Sequence, residues 1–263
     1  MSKRNLPVKL NGIYDIDIEN LGSKGEGVGR VDGYTLFIEG ALPGERVKAK
    51  ITKVNKNYGF AKLMKVLEEA PARFDPICKY FGRCGGCQLQ HMDYESQLKY
   101  KTQTVNDALI RIGKLEDIDV LPAIGMEDPT RYRNKAQFPV GKDGKRAILG
   151  FFGRRSHDIV DMDSCLIQHS VNDKITAIMR EFIEKHKIPV YDEKTHRGII
   201  RHVVTKVGFS TGEIMVVIVT NGKKLPHGVA LVSMLRSEIE GLESVVQNIN
   251  AKNTNVILGR ENI

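Results

Sequence analysis

With 263 residues, 41% of them apolar, the chain is long enough to bury one large core or two smaller ones, which excludes a disordered polymer. Its 40 Lys and Arg residues against 32 Asp and Glu leave a formal charge of +8, a balance that favours a polyanionic partner over an acidic small substrate. No stretch approaches the roughly twenty consecutive apolar residues of a membrane-spanning helix, and Met1-Ser-Lys-Arg-Asn-Leu-Pro7 has no apolar signal-peptide core, so a cytoplasmic monomer without membrane contact is expected.

From Val8 to about Leu67 short β-like runs follow one another. Gly12-Ile-Tyr-Asp-Ile-Asp-Ile-Glu19 alternates apolar and polar residues, and Gly22 to Gly29 interrupts the alternation. Tyr34–Ile38, Glu45–Ile51 and Tyr58–Val66 then continue it, separated by Pro43-Gly44 and Asn55-Lys-Asn57. The pattern predicts a small OB-like β-barrel over residues 6–67. Gly22–Gly29 lacks both the Gly-Lys-Ser/Thr ending of a phosphate loop and the helix that follows one, so a turn is expected there. A basic face built from Lys24, Arg30, Lys48, Lys50, Lys53 and Lys56 would suit single-stranded RNA, although ordinary solvated charges give the same pattern.

Residues 68–90 are expected to be a linker and a cysteine loop, with Pro71 and Pro76 bracketing a polar stretch. Between Gln88 and Ile112 apolar residues recur at helical spacing, and Gly113 would end the helix. After Pro122, Lys135–Val140 and Ala147–Phe152 flank Lys142-Asp-Gly-Lys145, which predicts a hairpin because Asp-Gly accepts the positive φ angles of the turn. A helix near Val171–Lys187, a hairpin over Arg201–Thr220, a helix over Leu225–Gly241 and strands at Ser244–Ile249 and Asn255–Leu258 complete an α+β central domain spanning 91–263. Arg131-Tyr-Arg-Asn-Lys135 sets three cations beside an aromatic ring, so Arg131, Arg133 and Lys135, with Arg154 and Arg155, are candidate RNA contacts. His91, His157, His169 and His202 show no ligand-type spacing and are expected at the surface.

The four cysteines carry the strongest chemical signal. A reducing cytosol disfavours structural disulfides, so clustered thiols point to metal binding or redox catalysis. Cys78, Cys84 and Cys87 share a glycine-bearing loop and Cys165 lies far downstream, and three local thiolates with one remote is a common way to hold an iron–sulfur cluster. Gly85 and Gly86 free the backbone to aim N–H groups at sulfur. Zinc is the competing metal, although its structural sites usually present two tight Cys-x-x-Cys knuckles and only one is present here. Thiol–disulfide exchange at Cys84-Gly-Gly-Cys87 comes third, weakened by the extra Cys78 and by the lack of a preceding βαβ unit.

Taken together, Gly25-Glu-Gly-Val-Gly29, Cys78-Lys-Tyr-Phe-Gly-Arg-Cys-Gly-Gly-Cys-Gln-Leu-Gln-His91, Arg131-Tyr-Arg-Asn-Lys-Ala-Gln137 and Asp161-Met-Asp-Ser-Cys165 resemble the RNA uracil-5 methyltransferases, most closely the 23S ribosomal RNA branch. The resemblance spans essentially the whole chain. It implies a TRAM-type RNA-binding barrel, a 4Fe-4S cluster on Cys78, Cys84, Cys87 and Cys165, and 23S ribosomal RNA as partner. The reaction it implies moves a methyl group from S-adenosylmethionine to uracil C5 after a cysteine thiolate adds to C6, a carboxylate base removing the C5 proton. In that family these parts belong to a C-terminal Rossmann-like domain with a Gly-rich cofactor loop and an Asp-Pro-Pro-Arg-like segment. Neither occurs here, and assigning all four cysteines to the cluster leaves no nucleophile. The expectation is therefore an N-terminal portion of the enzyme, its Rossmann-like methyltransferase domain missing, with no catalytic or cofactor-binding residue of its own. Such a chain would be inactive alone, S-adenosylmethionine serving only the full-length parent, and its cluster would tie Cys165 to the Cys78 loop. A stand-alone RNA-binding iron–sulfur module without catalysis, or a zinc-bound RNA-binding protein, is the alternative.

Overall fold

The computed structural model describes residues 6–115 and 117–263, which fall into two compact units. Met1–Asn5, part of the segment without a signal-peptide core, lies outside the described residues. The first unit comprises the residues through Lys79 together with Cys87–Glu127, and the second comprises Tyr80–Gly86 with Asp128–Ile263.

In the first unit, β1 (Ile13–Leu21), β2 (Gly27–Val31), β3 (Tyr34–Glu39), β4 (Arg46–Val54) and β5 (Tyr58–Glu68) close into a barrel in the order β1-β2-β3-β5-β4. Closure leaves no unpaired edge. Period-2 alternation sends Tyr34, Leu36 and Ile38 of β3 and Val47, Ala49 and Ile51 of β4 inward, where they meet Ile16, Ile18 and Ala61. Part of the glycine run expected to be a turn is strand β2. A Cβ on Gly29 would stand 2.5 Å from the Asp17 carbonyl oxygen of the paired strand, so close backbone approach, not turning, explains that glycine.

Helix α1 (Tyr94–Asp107) starts later than the periodicity predicts, because the Asp93 carboxylate accepts the Ser96 N–H at 2.8 Å and caps it. It runs into a π-helical turn, Ala108–Ile112. The Tyr100 hydroxyl donates to the Gly22 carbonyl at 2.6 Å, so this helix, expected at the head of the α+β domain, belongs to the barrel's unit.

The second unit is a seven-stranded sheet ordered β12-β11-β10-β9-β6-β7-β8. Its strands are β6 (Lys135–Asp143), β7 (Arg146–Phe152), β8 (Ile159–Asp161), β9 (Ile200–Val207), β10 (Ile214–Thr220), β11 (Leu242–Ile249) and β12 (Glu261–Asn262). Helix α2 (Val171–Lys185) buries Ile175, Ile178, Met179, Phe182 and Ile183, and α3 (Gly228–Glu238) adds Leu231 and Leu235 to the same core. β10 and β11 are parallel, so α3 forms a crossover between them. The strand, helix and strand expected between Arg201 and Ile249 are thus joined as a parallel strand–helix–strand unit, a pairing the sequence pattern left open.

Asn255–Leu258 is not a strand. The Asn250 side-chain amide donates to the carbonyls of Val256 and Ile257 at 2.7 and 3.0 Å, taking the place of ladder bonds, and the last pairing is β12 against β11. Two histidines expected at the surface are buried, His91 at 3% exposure and His202 at 8%. His202 sits on β9, flanked by β6 and β10. Burial pushes it down to about 4, Arg201 adds to the effect, and Glu193 opposes it.

Candidate nucleic-acid interface and cysteine segment

The barrel's cations stand on its outward phase. Lys24, Lys53 and Lys56 are exposed, Lys48 pairs with Asp15 at 2.7 Å, and Arg30 pairs with Glu19. These are exposed pairs of the kind that contribute little to stability and exchange readily for another anion. Three aromatic rings share the outward phase, and cation counting along the sequence missed them. Phe37 of β3 and Tyr58 and Phe60 of β5 lie with ring centroids 5.7 to 5.8 Å apart. Their signal was present: Phe37 alternates with inward Leu36 and Ile38, and Tyr58 and Phe60 with inward Gly59 and Ala61.

In the second unit the Arg131–Lys135 cluster divides by role. Arg131 sits at a φ of +52° and turns its guanidinium into the Cys165 loop, where it donates to the carbonyls of Cys165 at 2.9 Å and Gln168 at 3.3 Å, to Ser164 Oγ at 3.1 Å and to the Asp173 carboxylate at 3.1 Å. Its guanidinium thereby holds that loop, with its side chain about 35% exposed. Tyr132, Arg133 and Lys135 remain exposed, the Arg133 backbone being tied to Ile167 and His169. Arg154 lies over the Phe81 ring at 5.2 Å, and Arg155 is exposed at a φ of +55°.

The cysteines divide two and two: Cys78 and Cys87 belong to the first unit, Cys84 and Cys165 to the second. All four are thiols, not disulfides. Cys84 bridges to Gly153, and its sulfur accepts the Gly86 N–H at 3.3 Å. The Cys87 sulfur accepts from Gln90 Nε2 at 3.1 Å. Such N–H···S bonds are those that tune a ligating thiolate. Among the described residues no group of three or more His, Cys, Asp or Glu side chains is arranged to hold a metal ion. No helix among them is long and apolar enough to cross a membrane.

Residues 7–64 match the TRAM domain family. Across its length the chain is similar to RNA methyltransferases. It is 47% identical over 261 residues to an uncharacterised RNA methyltransferase of Clostridium tetani, covering 99% of this chain and 56% of that protein. A relative from Halalkalibacterium halodurans is 51% identical over 259 residues, covering 98% and 57%. One from Caldanaerobacter subterraneus is 49% identical over 256 residues, covering 97% and 56%. The chain therefore spans somewhat more than half the length of the curated relatives it matches. Among solved structures, Pyrococcus abyssi tRNA (uracil-54, C5)-methyltransferase in complex with S-adenosyl-L-homocysteine aligns with a TM-score of 0.69 and 28% identity, over 93% of this chain and 53% of that one.

These matches overturn two expectations. The chain was expected to be a recognition portion whose methyltransferase domain is missing, and hence inactive alone, because a Gly-rich loop and a spare thiol were not found. Methyltransferase relatives instead match 97–99% of this chain, and the fold of a cofactor-bound methyltransferase extends over 93% of it.

Proposed function

We propose that this protein acts in the S-adenosylmethionine-dependent methylation of uracil C5 in RNA, in the cytoplasm, with its TRAM barrel as an RNA-binding surface. The observation that carries the reading is the likeness, at 28% identity over nearly the whole chain, to a uracil-C5 methyltransferase crystallised with S-adenosyl-L-homocysteine. The TRAM match and the excess of 40 basic over 32 acidic residues support RNA as the partner. Lys24, Arg30, Lys53 and Lys56 on the barrel, and Arg133, Lys135, Arg154 and Arg155 in the second unit, are assigned to the phosphate backbone, where cations position RNA without reading its sequence.

The resemblance of the Cys78–His91 and Asp161–Cys165 segments to the 23S ribosomal RNA branch supports that RNA as substrate and Cys78, Cys84, Cys87 and Cys165 as ligands of a 4Fe-4S cluster. Four thiols are available as donors and two of them accept N–H···S bonds, although among the described residues no three of them are gathered as metal ligands. A bound cluster would contribute folding free energy to the segments that ligate it.

Two measurements test this reading. Protein purified without oxygen is expected to be brown, with about four iron atoms per chain; colourless protein carrying stoichiometric zinc overturns the cluster. Incubated with tritiated S-adenosylmethionine, the protein is expected to label 23S ribosomal RNA as 5-methyluridine. Label in tRNA alone would replace the substrate with that of the Pyrococcus neighbour, and label in neither would overturn the activity.

A further inference from the structure

Phe37, Tyr58 and Phe60 are not needed by the barrel's core, which Tyr34, Leu36, Ile38, Ala49, Ile51 and Ala61 fill from the inward phase. They occupy the solvent side of the β3–β5 pair, where Phe37 stands opposite Phe60 and Thr35 opposite Tyr58. Tyr58 meets both phenylalanines edge-on, at interplanar angles of 88° and 81°, and the phenylalanine rings are tilted 33° from one another. Packing against one another hides only part of this surface, since Tyr58 remains 42% exposed.

The scaffold beneath the rings is stiff. The buried Tyr34 hydroxyl lies 2.5 Å from the Tyr58 carbonyl and 2.8 Å from that of Asn55, and it accepts the Asn55 N–H at 3.2 Å, which pins the turn between β4 and β5. Between the two outward rings of β5, Gly59 passes so close that a Cβ would stand 2.8 Å from the Lys53 carbonyl oxygen. Cations fringe the rings: Lys53 is opposite Phe60 across the β4–β5 pair, Lys56 is in the pinned turn, and Arg30 is opposite Thr35 on β2.

We infer that Phe37, Tyr58 and Phe60 form a stacking platform for unpaired RNA bases, with Lys53, Lys56 and Arg30 meeting the phosphates on either side. The inference rests on the RNA-binding reading above and deepens it by naming the form of RNA the barrel takes. Every nucleobase has a π-face, so such a platform favours unpaired nucleotides without selecting sequence, whereas a duplex hides its base faces.

The test uses the intact protein and a fluorescein-labelled, unstructured RNA of about 12 nucleotides, matched to the span of an OB-type barrel. A second copy of the RNA carries abasic riboses in its central positions and keeps every phosphate. The unaltered protein is expected to bind the abasic RNA about 5- to 150-fold more weakly, the range measured for losing a base–aromatic stack. Tyr58→Ala and Phe60→Leu should weaken binding of the normal RNA by a similar factor, leave the salt dependence unchanged and abolish the preference for bases. Tyr58→Phe should bind like the unaltered protein. Tight binding of the abasic RNA, or Tyr58→Ala and Phe60→Leu proteins that bind normally, overturns the platform while leaving RNA binding in place. Failure of the unaltered protein to bind either RNA overturns the RNA-binding reading as well. The abasic comparison needs no substitution, so a folding defect in a variant does not blunt it.

Discussion

The two units use their positive charge in opposite ways. In the barrel, Lys24, Lys53 and Lys56 stand in solvent and Arg30 makes an exposed pair, beside aromatic rings that no core requires. In the sheet unit, arginines are drawn onto the chain's own carbonyls. Arg201, 5% exposed, donates to Asn250, Lys252 and Thr254 at 2.6, 2.8 and 3.2 Å and lies 4.3 Å from the centroid of the Tyr191 ring. Arg180 donates to the carbonyls of Leu149 and Met162 at 2.9 and 2.7 Å and pairs with Asp161, and Arg131 does the equivalent for the Cys165 loop. A guanidinium has five donors in a rigid fork, so it can satisfy loop carbonyls that no strand or helix reaches, and an ammonium does this poorly. Net charge alone therefore does not say which cations are open to a polyanion.

The barrel unit has its own internal cation, and removing it is expected to have the largest effect. Glu45 is 1% exposed, accepts the Leu42 N–H at 2.8 Å and is paired with Arg73. Arg73→Met would strand a buried carboxylate, and denaturant unfolding should show a loss of about 3–5 kcal/mol. A change below about 1 kcal/mol would mean that this buried pair contributes no more than the exposed pairs of the barrel.

In the sheet unit, the neutral His202 should make stability depend on pH. Its folded value, about 4, lies below the usual 6.5, so between these values the unfolded chain binds more protons and stability rises with pH. Titrating from pH 6.5 down to 4 should remove up to about 3 kcal/mol, and His202→Gln should flatten that slope. An unchanged slope would place the acid sensitivity elsewhere.

Arg131→Lys keeps the charge and loses the fork. It should destabilise the sheet unit by about 1–2 kcal/mol and speed the reaction of Cys165 with a thiol reagent, while leaving the salt dependence of RNA binding unaltered. The neutral substitution Arg131→Gln should likewise leave that salt dependence unaltered, and a slope lower by about one would return Arg131 to the RNA-facing group. The smallest effect on stability is expected from the double substitution of Lys53 and Lys56 by Ala, within about 0.5 kcal/mol by thermal unfolding. The same protein should bind single-stranded RNA with a salt slope lower by about 1.4, which separates the outward cations from the inward ones.

Much of the barrel's strand pattern was legible from sequence, as were the β6–β7 hairpin, α2 and the gathering of thiols in one loop, because each depends on neighbours a few residues apart. Alternation in Tyr34–Ile38 reports which residues face a core whatever that core turns out to be. β2 was not legible, since its glycines signal a turn to anyone who cannot see Asp17 behind them. The parallel pairing of β10 and β11, the burial of His202 and the irregular path of Asn255–Leu258 were likewise hidden.

The alternation, the cationic excess and the three thiols close together in the chain can all be read from the order of residues alone. Which cations face solvent and which are consumed internally depends on the tertiary structure. Arg131 and Lys135 stand four residues apart in one basic run, yet the partners that turn Arg131 inward are 33 to 42 residues away in the chain. Those partners form no periodic pattern with it. The direction of a long charged side chain is set by whichever unsatisfied carbonyls and carboxylates the fold brings within its reach, and only the folded chain brings them there.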